Sequence, residues 1–182
     1  IKADDMFIDV GARSEEEVKK AGVTIGSVAT LDRTVRFLIN NRVTGKGFDN
    51  RAGLAIMIDA VKKTKTSATV YAVGTVQEEV GLKGAKTSAF GLQPSVAIAL
   101  DVSIPGDHLG IEKKDSSLEL GKGPSITVVD ASGRGIIVSR NVLKWLTETA
   151  EAHKIPYQLD VAKGGTTDAT AISLTRAGIP TG

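Results

Sequence analysis

The 182-residue chain is 41% hydrophobic and 24% charged, the balance of an ordinary globular protein with enough length to bury one core. Its net charge of +2, with no basic run interleaved with aromatics, argues against nucleic acid as a partner, and no apolar stretch approaches the roughly 18 residues of a membrane span. Cysteine is absent, which excludes disulfides and thiolate metal ligands and is compatible with a reducing, cytoplasmic setting. No secretory signal opens the chain. It starts at Ile1 and stops at Gly178-Ile179-Pro180-Thr181-Gly182, where a new strand is expected to begin, so both ends read as cuts in a longer protein.

Met6 to Val10 reads as a short strand stopped by Gly11. Ser14 then offers an N-cap, with Glu17 three residues on to complete a capping box and Gly22 at the C′ position. Residues 23 to 43 read as β structure, in which Val35, Phe37 and Ile39 alternate with Arg36 and Leu38. After Gly45-Lys46-Gly47 the period changes: Leu54, Met57, Ile58 and Val61 predict a buried helix face. Residues 68–76 and 95–102 are apolar almost throughout, as strands covered on both faces are. A helix fits between them, from Gly81 to Phe90. Residues 125–129 form a further strand, Ser139 caps a helix whose core face carries Val142, Trp145, Leu146 and Ala150, residues 157–161 form another strand, and 168–177 a final helix. Strands alternating with helices at this spacing predict an α/β fold with a mainly parallel or mixed sheet, and the change of period places a domain boundary near residues 43–47.

In open α/β sheets, sites gather at the carboxyl ends of strands. Asp101 ends one apolar run, Glu78 and Glu79 follow another, and Asp49 precedes a helix. Neighbouring residues on a strand end point in opposite directions, so Glu78 and Glu79 can serve two tasks, one holding a metal and the other acting as base. An acidic cluster in a cleft repels itself, and divalent cations relieve that repulsion. The alternative is plain: two glutamates facing solvent at a helix N-terminus, with Asp49 as an N-cap. Gly164-Gly165 before a helix also permits a phosphate cradle, without the flanking motif that would single one out.

The segments Gly45-Lys46-Gly47-Phe48-Asp49-Asn50-Arg51-Ala52-Gly53, Val76-Gln77-Glu78-Glu79-Val80-Gly81-Leu82-Lys83-Gly84-Ala85, Ala97-Ile98-Ala99-Leu100-Asp101-Val102 and Gly164-Gly165-Thr166-Thr167-Asp168-Ala169, followed by Gly178-Ile179-Pro180, occur in one order over nearly the whole chain. Together they resemble the forty-second family of metallopeptidases, the glutamyl and deblocking aminopeptidases, whose members form tetrahedral assemblies and some of whose relatives carry an endoglucanase label. The resemblance implies a three-layer α/β/α zinc-peptidase-like core over residues 44–182. It also implies that residues 1–43 are the C-terminal part of a small inserted β-rich dimerisation domain. It implies two divalent metal ions, zinc or cobalt, with Asp49 bridging them, Glu79 and Asp101 as ligands, and Glu78 as the general base that deprotonates the attacking water. It makes Gly165, Thr167 and Asp168 part of the substrate-facing wall. The implied activity is removal of N-terminal residues from peptides by a homo-oligomer, a dodecamer built from dimers.

One departure stands out. Such a site takes two histidines, one from an early His-x-Asp motif and one from near the C-terminus of the subunit, and this chain has only His108 and His153, neither in such a motif. His153 closes a helix and His108 sits on a loop, so both family histidines are expected outside the 182 residues. Two other function classes stay open: a non-catalytic scaffold subunit, and a glycosidase, for which the 4% aromatic content supplies few stacking surfaces.

Overall fold

The computed structural model describes residues 2–182. They form two units, one up to Lys46 and one from Gly47 to Gly182.

In the first unit, helix α1 (Glu15–Lys20) forms where local signals agree. The Ser14 hydroxyl accepts from the Glu17 N–H at 3.3 Å, and the Glu17 carboxylate reaches back to the Arg13 N–H at 2.7 Å, one residue beyond the expected partner. Gly22 donates to the Lys19 carbonyl and Val23 to that of Val18, the paired bonds of a Schellman motif. Strands β1 (Arg36–Phe37) and β2 (Val43–Thr44) pair antiparallel, joined by Asn40 and Asn41 in left-handed conformations. Asparagine tolerates positive φ, which is why this pair makes the hairpin turn. The β structure expected over residues 23–43 thus shrinks to one short hairpin. Met6 to Val10 is not a strand; Phe7 is 88% exposed, and with no neighbouring strand among the described residues its backbone has nothing to pair with.

The second unit is α/β. Its elements are helix α2 (Phe48–Lys63), helix α3 (Lys83–Leu92), strand β3 (Ser125–Val129), helix α4 (Arg140–Ala152), strand β4 (Gln158–Val161) and helix α5 (Asp168–Ser173). Strands β3 and β4 run parallel, with Ser125 opposite Gln158 and Thr127 opposite Asp160, and α4 supplies the crossover. The Gln158 side chain ties β4 to the preceding loop: its amide oxygen accepts from the Glu119 N–H, and its NH2 donates to the carbonyls of Glu119 and Gly123, all at 2.9–3.1 Å. Ile136, Val138, Val142 and Ala169 form the buried core, with Ala99, Leu143 and Leu146 packed against it. α3 lays Ala85 and Ala89 toward α5, where Arg176 stacks over the Phe90 ring at 3.8 Å.

Several expectations give way here. Among the described residues the 95–102 run pairs with the 180–182 segment alone, through Ala97 N–H to Pro180 at 3.0 Å and Ala99 N–H to Gly182 at 2.8 Å, which makes a single parallel bridge between Ala97 and Thr181 and not the strands expected in either place. The 68–76 run is extended and has no partner strand among the described residues. Neither run is covered on both faces: Val70, Tyr71, Val96 and Ile98 are exposed. The α2 face is open as well, with Leu54 42% and Ile58 51% exposed. On α4, Val142 and Ala150 are buried but Trp145 is 52% exposed, and Ser139 occupies the N-cap without a side-chain bond. The final helix ends at Ser173, short of Ala177. The helices form where the local pattern places them, but the two apolar runs stay extended without becoming strands, because pairing and burial both need neighbouring elements that the described residues do not provide.

Candidate functional site

Glu78 and Glu79 sit on a tight turn between the extended 68–76 run and α3. Gly81 and Leu82 both donate to the Glu78 carbonyl, and Gly84 donates to that of Val76 at 2.9 Å. Gln77 has φ +57°, so the chain has left strand geometry before the glutamates begin. The two side chains therefore do not alternate across a strand as expected. They border the same depression, about 340 Å³ in volume, together with Gly81, Leu82 and Thr166.

Asp49 and Asn50, joined by a cis peptide bond, depart from helical geometry at the start of α2. The Asn50 amide donates to the Leu100 carbonyl at 2.5 Å and accepts from the Gly53 N–H at 2.9 Å, which links this turn to the residue before Asp101. A side chain at Gly53 would run into Asn50 and 2.9 Å from the Leu100 carbonyl, so the close approach requires glycine. Asp168 opens α5, but the cap is Thr167, whose hydroxyl accepts from the Ala169 N–H at 3.3 Å. Asp168 instead accepts from the Thr75 hydroxyl at 2.5 Å, and its other oxygen, Oδ1, is buried with no hydrogen-bond partner.

These carboxylates share one field. Burial pushes the Glu78 carboxyl above its ordinary value, and repulsion from Asp101, Asp168, Glu79 and Asp49 pushes it the same way. Asp101 is raised as well, first by desolvation and then by Asp49, Asp168 and Glu79, against the Val102 N–H that donates to it at 2.8 Å. Asp101 is exposed as a whole residue, so its desolvation belongs to the part of the carboxyl turned toward the chain. Of the expected site residues, Glu78 and Glu79 border the depression and Asp49, Asp101 and Asp168 lie close enough to perturb it. Gly165 and Thr167 flank Thr166 without lining it. Thr166 and Thr75 are contributors the sequence reading did not single out, and their partners lie 36 and 93 residues away.

The donor chemistry suits a divalent cation. All the candidate ligand atoms are carboxylate oxygens, burial and then mutual repulsion raise two of the carboxyls, and one buried carboxylate oxygen lacks a proton donor. Among the described residues, no three histidine, aspartate or glutamate side chains converge as a closed ligand set. Among the described residues, too, no helix is long and apolar enough to cross a membrane.

Comparison with known proteins gives the same direction. The solved structure of an aminopeptidase from the archaeon Desulfurococcus kamchatkensis superposes with a TM-score of 0.90 at 48% identity, over 95% of this chain and 49% of that one. A Pyrococcus horikoshii TET1 peptidase, described as assembling into a tetrahedron or a large octahedral shell, superposes with a TM-score of 0.63 at 32% identity, over 90% and 47%. The lysyl aminopeptidase of Pyrococcus furiosus is 33% identical over 98% of this chain and 50% of its own length. The chain thus spans about half the length of the relatives it matches. The family model for M42 glutamyl aminopeptidases matches residues 1–182, and the chain belongs to that family.

Proposed function

We propose that these residues form part of a metal-dependent aminopeptidase subunit that removes N-terminal residues from peptides with Glu78 as general base. The observation that carries the reading is the shared field: Glu78 borders an open depression, half-buried, with its carboxyl raised by burial and by four neighbouring carboxylates. A raised carboxyl is a better proton acceptor at neutral pH than an ordinary one, since the best catalytic base has a pKa near the working pH. Glu78 takes a proton from the attacking water and returns it to the leaving amine, so the peptide C–N bond breaks with no net change in the enzyme's protonation.

Asp49, Glu79 and Asp101 would hold two divalent ions, zinc or cobalt, which when bound would supply positive charge to the peptide carbonyl and acidify water. Thr167, Asp168 and the Gly165 backbone would flank the peptide. Residues 1–43 would belong to an inserted β-rich dimerisation domain and residues 44–182 to a three-layer core, in a dodecamer built from dimers. Support for the assembly is the description of the Pyrococcus horikoshii relative; support for the metal is the family and the all-oxygen donor set.

The test is hydrolysis of an aminoacyl-anilide panel by the complete subunit, stripped of metal and then refilled with zinc or cobalt. Activity should vanish on stripping, return on refilling, and fall by roughly 10²–10⁴-fold in Glu78→Gln with metal content unchanged. A protein that binds two metal ions per subunit yet cleaves no member of the panel would sink the peptidase reading in favour of a scaffold subunit.

A further inference from the structure

The segment that follows β3 is unusual. Ala131, Ser132 and Gly133 are three successive left-handed residues, with φ of +44°, +55° and +81°. Two of them are not glycine, and such conformations persist where the surroundings over-determine them. What determines them here is Asp130, 4% exposed. Its Oδ1 accepts from the Ile136 N–H at 2.6 Å, its own N–H donates to the Ile136 carbonyl at 3.1 Å, and its carbonyl accepts from Gly133 at 2.7 Å. One carboxylate oxygen is enough to close this turn.

The second oxygen is directed elsewhere. Oδ2 accepts from the Thr166 hydroxyl at 2.9 Å, and Thr166 shares a further 2.6 Å bond with the Thr170 hydroxyl. The turn grips the same loop at two more points, through Ser132 N–H to the Ala162 carbonyl at 3.1 Å and the Ser132 hydroxyl to the Lys163 carbonyl at 2.8 Å. The fit leaves no space: a side chain at Gly135 would overlap Asp130 Oδ1 and lie 2.7 Å from Thr166 Oγ1. Thr166 is thus bonded to a buried carboxylate on one side and borders the Glu78–Glu79 depression on the other.

We infer that Asp130 is a positioning residue, which through the Thr166 hydroxyl sets loop 163–168 against the depression bordered by Glu78 and Glu79. This rests on the peptidase reading for its consequence in catalysis, though not for the anchoring itself. A hydrogen bond to a buried carboxylate is among the stronger neutral-donor bonds, so removing it should release the loop by about a factor of ten.

The experiment compares Thr166→Val, Thr166→Ser, Asp130→Asn and the Asp130→Asn/Thr166→Val double variant in the complete, metal-loaded subunit. Amide exchange at Ser132, Ala162 and Thr170, whose N–H groups are hydrogen-bonded where the loop is anchored, should accelerate about tenfold in Thr166→Val and return to the wild-type rate in Thr166→Ser. KM for the best anilide should rise about tenfold in Thr166→Val with kcat within about twofold, as expected when a substrate wall is loosened and the base is left in place. The double variant should be no worse than Thr166→Val alone, because once the Thr166 hydroxyl is gone the Asp130 side chain has no bond to the loop left to lose. Unchanged exchange in Thr166→Val overturns the proposal, as does accelerated exchange with unchanged KM, or a double variant whose effects add. If the wild type cleaves nothing, the peptidase reading falls and the exchange data alone decide whether Asp130 anchors the loop.

Discussion

Residues 54–76 and 125–161 are built from the same materials and meet different fates. Each pairs an amphipathic helix with an apolar extended run. In the later region β3 and β4 pair, α4 crosses between them, and Ile136, Val138 and Val142 are buried. In the earlier region the run over 68–76 has no partner strand among the described residues, and Leu54, Ile58 and Val61 of α2 remain exposed. Apolar periodicity sets the type of element; it takes a second layer to turn an apolar face into a core.

That contrast can be broken by truncating one residue in each region. Ile136→Ala should cost about 3 kcal/mol in urea unfolding, through lost burial and the cavity left behind. Leu54→Ala, at a half-exposed position, should cost less than about 1 kcal/mol. Equal losses would mean that α2 is covered in solution. The two serine caps sharpen the contrast at a smaller scale. Ser14→Ala should cost α1 about 1 kcal/mol, since that helix buries no residue and depends on local bonds. Ser139→Ala, where the side chain makes no cap bond, should leave the unfolding midpoint within error.

The remaining effect is electrostatic. Asp160 on β4 is buried, and desolvation raises its carboxyl against the opposing Val161 N–H. The folded state therefore holds this proton more tightly than the unfolded chain, so the contribution is favourable below the ordinary value near 3.8 and is lost as pH rises through the raised value. Asp160→Asn should raise the melting temperature at pH 7, and the gain should disappear below the ordinary value. A variant equally stabilised at both ends of that range would show that packing, not charge, is the cause.

How much of this was legible follows the reach of each interaction. Ser14, Glu17 and Gly22 lie within one helix length, and their capping roles could be read directly. The Asn40–Asn41 turn carried an equally local signal that the alternating pattern around it obscured. Trp145 and the α2 face were misjudged because burial depends on layers, not on period. In the candidate site, the motif sets Glu78 and Glu79 side by side after an apolar run, but their placement on one depression has no local signal, because the left-handed Gln77 turns the chain first. Thr166, Thr75 and Asp130 had no sequence signal: their bonds span 36 and 93 residues, and a hydroxyl gives no hint of which carboxylate it will meet.

Two ties reach outward from the β3–β4 region, and they answer differently to the surrounding solution. Lys163 meets Asp115 at 2.6 Å with both side chains exposed, a contact that added electrolyte weakens. Gln158 holds the 119–123 loop with one acceptor and two donors on an uncharged amide. That second tie has no proton to gain or lose and no counterion to exchange, so the loop keeps its seat on β4 across changes of acidity and ionic strength that loosen the first.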